Sequence, residues 1–90
     1  MQFEWDENKN KLNIEKHEID FNNVKELFND RKRKTSPDLR KEYGEDRWIT
    51  IGKILDSIIV VVYAIRNNYF RIISARFVNK RERNNYFNIA

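Results

Sequence analysis

The apolar residues of this chain change their spacing from one segment to the next, and each spacing predicts a different element. At 2–5, QFEW alternates and carries two aromatics, which predicts a short strand. Asp6 then caps a helix, and Glu7 in its first turn suits the positive end of the helix dipole. That helix runs to about His17, with Leu12 and Ile14 as its apolar content and Trp5 at its entrance. Asp20 is a second capping residue. Behind it, Phe21, Val24, Leu27 and Phe28 form one helical stripe that ends near Asn29–Asp30.

RKRKTSPD at 31–38 breaks the pattern. It reads as solvated loop or edge strand, since lysine and proline protect sheet edges, and the rest through Gly44 reads as loop. RWITI at 47–51 alternates, with Arg47, Ile49 and Ile51 on one face and Trp48 and Thr50 on the other. Residues 52–57 read as a connection. IIVVVYAIR at 58–66 is a nearly continuous β-branched run, which implies burial on both faces and a central strand. Asn67–Asn68 makes a tight turn, and YFRIISAR at 69–76 returns antiparallel. Asn79 and Glu82 have capping-box spacing for a last helix, packed down by Tyr86 with Phe87 or Ile89 helping. The order β, α, α, strands, α predicts an α+β fold, with helices segregated from a mostly antiparallel sheet. Ninety residues make one small domain, 1–90.

Charge sharpens this picture. The net charge is +4, but residues 1–30 carry −4 and residues 31–90 carry +8. A basic two-thirds beside an acidic third points to a polyanion partner for one part and a cationic protein for the other, against the plainer reading of a well-solvated surface. The absence of cysteine excludes disulfides and thiolate metal sites and suits a reducing cytosol. The first dozen residues are charged and lack the apolar core of a signal peptide. The longest apolar run, 58–65, is too short to span a bilayer, so no membrane association is expected.

Few residues are left for chemistry. Arg66 and Arg76 end neighbouring strands. Hairpin geometry puts Arg66 and Arg71 near the turn and Arg76 at the opposite end, and strict alternation puts Arg71 and Arg76 on opposite faces. Such arginines either keep the guanidinium wet, pair with Glu45, Asp46, Asp56 or Glu82, or present a planar fork to phosphate. His17, the single histidine, is either a helix-end packing residue or a proton-transfer group. One histidine and no tight acidic cluster make a metal site unexpected, and no cofactor is expected. Two glycines eight apart cannot form a phosphate loop, and no serine sits in a nucleophile elbow. What remains is metal-free RNA cleavage, in which the ribose 2′-OH attacks. The protein then need only move protons and stabilise charge on phosphorus. Plain nucleic-acid binding, or a structural role in which the charges serve solubility, fits the same composition.

Six segments in order resemble the BrnT toxins of bacterial type II toxin–antitoxin systems: FEWDENKNKLNIEKHEIDF at 3–21, VKELFND at 24–30, GEDRWITIG at 44–52, VVVYAIR at 60–66, RIISAR at 71–76 and RERNNY at 81–86. The family usually has glycine where this chain has Glu18, which bears on the turn between the helices. The resemblance implies a RelE-like fold and a ribonuclease that arrests translation in the cytoplasm. It also implies a cognate BrnA-like ribbon–helix–helix antitoxin, through which the complex would bind operator DNA. Carried over by position, Arg66 and Arg76 are the candidates for the scissile phosphate. Glu45 and His17 are candidates for proton transfer, and Lys16, Arg47, Arg81 and Arg83 for RNA contact. Arg71 is left as solvated trim.

Overall fold

The computed structural model describes residues 2–88. Five strands lie side by side in one mixed sheet: β1 (Gln2–Glu4), β2 (Lys34–Pro37), β3 (Arg47–Ile54), β4 (Ser57–Arg66) and β5 (Tyr69–Phe77), in the order β1-β5-β4-β3-β2. β1 runs parallel to β5, and the other pairings are antiparallel. The 58–66 run takes the central place its continuous β-branching predicts, with Ile58 through Ala64 buried. Asn67 and Asn68 both adopt positive φ (49° and 68°), the left-handed pair that a two-residue hairpin turn requires.

The basic stretch takes the second of its two expected forms, and β3 runs longer than expected. The basic stretch is an edge strand, β2, paired to β3 from Lys34↔Ile51 to Pro37↔Trp48. β3 runs on through Gly52 to Ile54, so the turn to β4 is only Leu55–Asp56. Gly52 is no turn residue. A Cβ there would meet Leu27 Cγ at 2.7 Å, so glycine lets the Leu27 side chain sit on the strand backbone.

The two N-terminal helices also depart from the pattern. α1 (Glu7–His17) is capped by Asp6 as expected, but its apolar residues face outward, with Leu12 63 % exposed. It docks instead through buried Asn10 and Asn13. Asn10 donates to Asp20 Oδ1 at 3.0 Å and accepts the Phe21 N–H at 2.8 Å; Asn13 donates to the Ile19 carbonyl at 2.9 Å and accepts the Ala75 N–H at 3.1 Å. Asn13 thereby takes up a strand donor of β5 beyond its pairing with β1. The second helix, Phe21–Asn29, is 3₁₀ rather than α. Phe21, Val24 and Leu27 are three apart, and side chains at i and i+3 eclipse in a 3₁₀ helix. Burial of all three holds a run longer than this helix type usually sustains.

Glu18 follows α1 in the left-handed conformation (φ 61°, ψ 26°), its N–H donating to the Ile14 carbonyl. The turn is thus built with a residue that carries a Cβ penalty there. Glu18→Gly should raise stability by about 0.5–1 kcal/mol, read as a higher urea midpoint at unchanged slope.

The 3₁₀ segment covers one sheet face. Phe21, Val24, Leu27 and Phe28 pack there on Ile59, Val61, Tyr63, Ile72 and Ala75, with Phe3, Trp48 and Phe70 at the margin. The opposite face is covered at one end only, by α2 (Lys80–Tyr86). The predicted capping box forms between Asn79 and Glu82. Tyr86 is buried against Ile51, Ile58 and Val60, and its hydroxyl donates to Asp30 at 2.6 Å. Phe87 leans edge-on against the Tyr86 ring, and Ile89 lies outside the described residues. Among the described residues, no helix is long and apolar enough to cross a membrane.

Candidate functional site

A register irregularity decides what the open face carries. Val62 pairs with Ser74, but Tyr63 pairs with Ile72, so Ile73 is an extra residue in β5. The bulge resets the alternation. Arg71 pairs with Ala64 and Arg76 with Val60. Ala64 and Val60 share a face, so Arg71 and Arg76 do too, contrary to the expectation from strict alternation. Arg66 lies on that face through Val62 and Ala64, and Arg47 joins it opposite Ala64.

Five ion pairs occur among the described residues, and all five lie on this face. They are Arg40–Asp38, Arg47–Glu45, Arg66–Glu45, Arg71–Glu4 and Arg76–Glu82. The face is therefore a patchwork of guanidinium and carboxylate, with one arginine more than acids.

Near the hairpin, Glu45 bridges two arginines. Its Oε1 accepts from Arg66 Nε at 2.7 Å, and its Oε2 lies 3.5 Å from Arg47 Nε. The hydrogen bond from Arg66 is the main cause holding its carboxyl below the usual range, with Arg47 adding to it against the opposing effect of burial. Glu45 is thus ionised at neutral pH. Arg47 lies with its guanidinium carbon 3.9 Å from the centre of the Tyr43 ring. Its Nε is buried and makes no hydrogen bond.

At the far end, Arg76 makes a two-pronged pair with Glu82, 2.8 Å on each arm. Glu82 Oε1 also accepts the Asn79 N–H at 2.9 Å, so one carboxylate both closes the helix cap and aims the arginine. Each partner stabilises the other's charge: hydrogen bonding raises the Arg76 pKa and lowers that of Glu82. His17 and Lys16, at the end of α1, line a shallow hollow with Arg76 and Phe77.

Arg66 and Arg76 do not meet. The partner of Arg76, Val60, is six residues from Arg66 along β4, about 20 Å at strand rise. The structure brings Arg66, Glu45 and Arg47 together at one end, and Arg76, His17 and Lys16 at the other, with Arg71 between. Arg81 lines a hollow with Asn79, Glu82 and Asn85 beside Arg76. Arg83 covers the Phe87 ring of its own helix, 5.2 Å from the centroid. Among the described residues no His, Asp and Glu side chains cluster as a metal site would need.

Four members of this face escaped the sequence reading. Arg71 was hidden by the bulge, for which Ile73 gives no local sign. Tyr43, Asp38 and Arg40 belong to a stretch that reads only as loop. Asp38 is wholly buried and ionised: the Arg40 hydrogen bond, against opposing burial, holds its pKa at about 2. Its folded pKa lies below the unfolded value, so its contribution to stability is complete above about pH 4 and falls away toward pH 2. Asp38→Asn should therefore flatten the loss of stability between pH 4 and 2 by on the order of 1 kcal/mol. Urea unfolding of both proteins across that range measures it.

The chain is a small α+β domain with one sheet face sealed by aromatic and aliphatic packing and the other set with paired arginines. Over residues 5–82 the chain matches the family model described as the ribonuclease toxin BrnT of type II toxin–antitoxin systems. The chain belongs to that family, as the ordered segments of its sequence led one to expect. No curated protein matches it.

Proposed function

We propose that the arginine face binds RNA, and that the protein is a metal-independent endoribonuclease that inhibits translation. The observation that carries this is the gathering of Arg40, Arg47, Arg66, Arg71 and Arg76 on one face, in a chain of the ribonuclease toxin family. Guanidinium forks match phosphate oxygens and stay charged. About 20 Å of face between Arg66 and Arg76 suits a short run of successive phosphates rather than one.

Cleavage is placed at the Arg76 end. There a histidine shares a hollow with a fixed arginine. His17 moves the proton between the 2′-OH and the leaving oxygen, and Arg76 stabilises the charge that builds on phosphorus. Lys16 and Arg81 contact adjoining phosphates, with Arg83 further along the helix. At the other end Glu45, ionised between two guanidiniums, positions Arg66 and Arg47 on a flanking phosphate. The fold is of the RelE-like kind. The toxin works in the cytoplasm, and its partner is a BrnA-like ribbon–helix–helix antitoxin that carries the complex to operator DNA.

Purified protein incubated with RNA in EDTA should give discrete fragments ending in 2′,3′-cyclic phosphate. One observation favours a second reading, a non-catalytic nucleic-acid-binding subunit: every arginine of the face is already engaged by a carboxylate. RNA bound but left intact, together with harmless expression in bacteria lacking the partner, would establish that reading instead.

A further inference from the structure

Arg40 belongs to no strand, yet it is held on the open face as firmly as its neighbours. Asp38 explains why. Its N–H donates to the Arg47 carbonyl at 2.8 Å, which continues the β2–β3 register one residue beyond Pro37↔Trp48. Asp38 therefore shares a face with Ser36 and Arg47. Its side chain is completely buried, and a buried carboxylate requires a partner. Arg40 supplies one with Nε and Nη2, each at 2.8 Å, and its own N–H donates to the same carboxylate at 3.2 Å. Three hydrogen bonds thus fix a two-residue excursion of the chain.

Neutralising Asp38 occupies only one edge of the guanidinium. Arginine has five N–H donors, and two are engaged here. The Arg40 side chain is 62 % exposed, so its remaining donors face solvent in a fixed direction. The backbone bond from Asp38 to Arg47 sets Arg40 beside Arg47, where β3 begins. An exposed fork anchored on a buried carboxylate beside the Arg47 guanidinium is a preorganised arrangement for neighbouring phosphates.

We propose that Arg40, anchored by the buried Asp38, is a further substrate-contacting residue that binds a phosphate adjoining the one held at Arg47. This rests on the RNA reading above. The competing role is purely structural: Arg40 would do no more than neutralise Asp38.

The two roles separate in the salt dependence of binding. The probe is a single-stranded RNA oligonucleotide carrying 2′-O-methyl groups, which lacks the attacking hydroxyl and stays intact. Arg40→Ala alone would strand a buried charge, so the decisive variant is the double substitution Asp38→Asn with Arg40→Ala, checked for an unchanged far-ultraviolet spectrum and cooperative unfolding. It should bind about five- to tenfold more weakly at moderate salt. Its plot of log K against log salt should be shallower by about 0.7, the loss of one single-strand phosphate contact. Arg40→Lys should keep the parent slope, because the charge remains. Asp38→Asn alone should keep it too, with a smaller loss of affinity as the fork is freed. A folded double variant with the parent's affinity and slope overturns the proposal while leaving the RNA reading intact. A parent protein that fails to bind the oligonucleotide at low salt removes both.

Discussion

Under the proposed mechanism, Arg76→Ala should lower the rate of RNA cleavage by a factor of about 10²–10³, the usual consequence of losing one preorganised group aimed at developing charge. The loss should fall on kcat, since the proposal has Arg76 act where charge builds on phosphorus rather than where the RNA is merely held. Arg66→Ala behaves differently. About 20 Å away along the sheet, Arg66 is proposed to hold a flanking phosphate, so KM should rise while kcat changes little. Glu45 keeps Arg47 as partner in that variant, and the fold should stay intact. In Arg76→Ala, by contrast, Glu82 loses both arms of its pair. The companion variant adding Glu82→Gln removes the stranded carboxylate while leaving a side-chain oxygen for the Asn79 N–H. Arg76→Lys tests geometry separately from charge: an ammonium cannot reproduce the planar fork, so only part of the activity should return. If folded Arg66→Ala and Arg76→Ala proteins both cleave as fast as the parent, the face is not the site.

Leu27→Ala should cost 2–5 kcal/mol, the range for emptying a buried leucine site. For 90 residues the whole stability is about 5–13 kcal/mol, so the substitution removes a large part of it. The cost belongs at the upper end of that range because the site cannot collapse. Leu27 is fully buried and rests on the β3 backbone at Gly52, where there is no side chain to move into the void. The urea midpoint drops at unchanged slope. RNA affinity per folded molecule stays constant, because Leu27 packs on the sealed face, away from the arginines. A loss under about 1 kcal/mol would mean the 3₁₀ segment repacks freely over the sheet.

Local patterning carried most of the architecture. The β-branched run at 58–66, the Asn67–Asn68 turn and the capping box at 79–82 each specify their element through contacts within a few residues. They came out as expected. The departures share one cause, which is that a partner distant in sequence overrode the local signal. α1 turns Leu12 outward because Asn10 and Asn13 find hydrogen bonds on the Phe21 and Ala75 backbones. β3 continues through Gly52 because Leu27 covers it. The three-residue spacing of Phe21, Val24 and Leu27 was visible, yet it reads as an α-helical stripe until the sheet beneath selects the 3₁₀ form.

The candidate site divides along the same line. The arginines, their planarity and their fixed charge are properties of residue type, and the family could be recognised from short segments in order. Which arginines stand together was not visible. Strict alternation separates Arg71 from Arg76, and one bulged residue, Ile73, reunites them. A bulge arises from pairing across strands, so a single strand carries no mark of it. Asp38 reads as an ordinary loop acid until the register with β3 buries it beside Arg47 and obliges Arg40 to cover it. Composition specified a basic protein suited to a polyanion partner. Strand register assembled that chemistry into one face, because register depends on residues that meet only after the chain has folded.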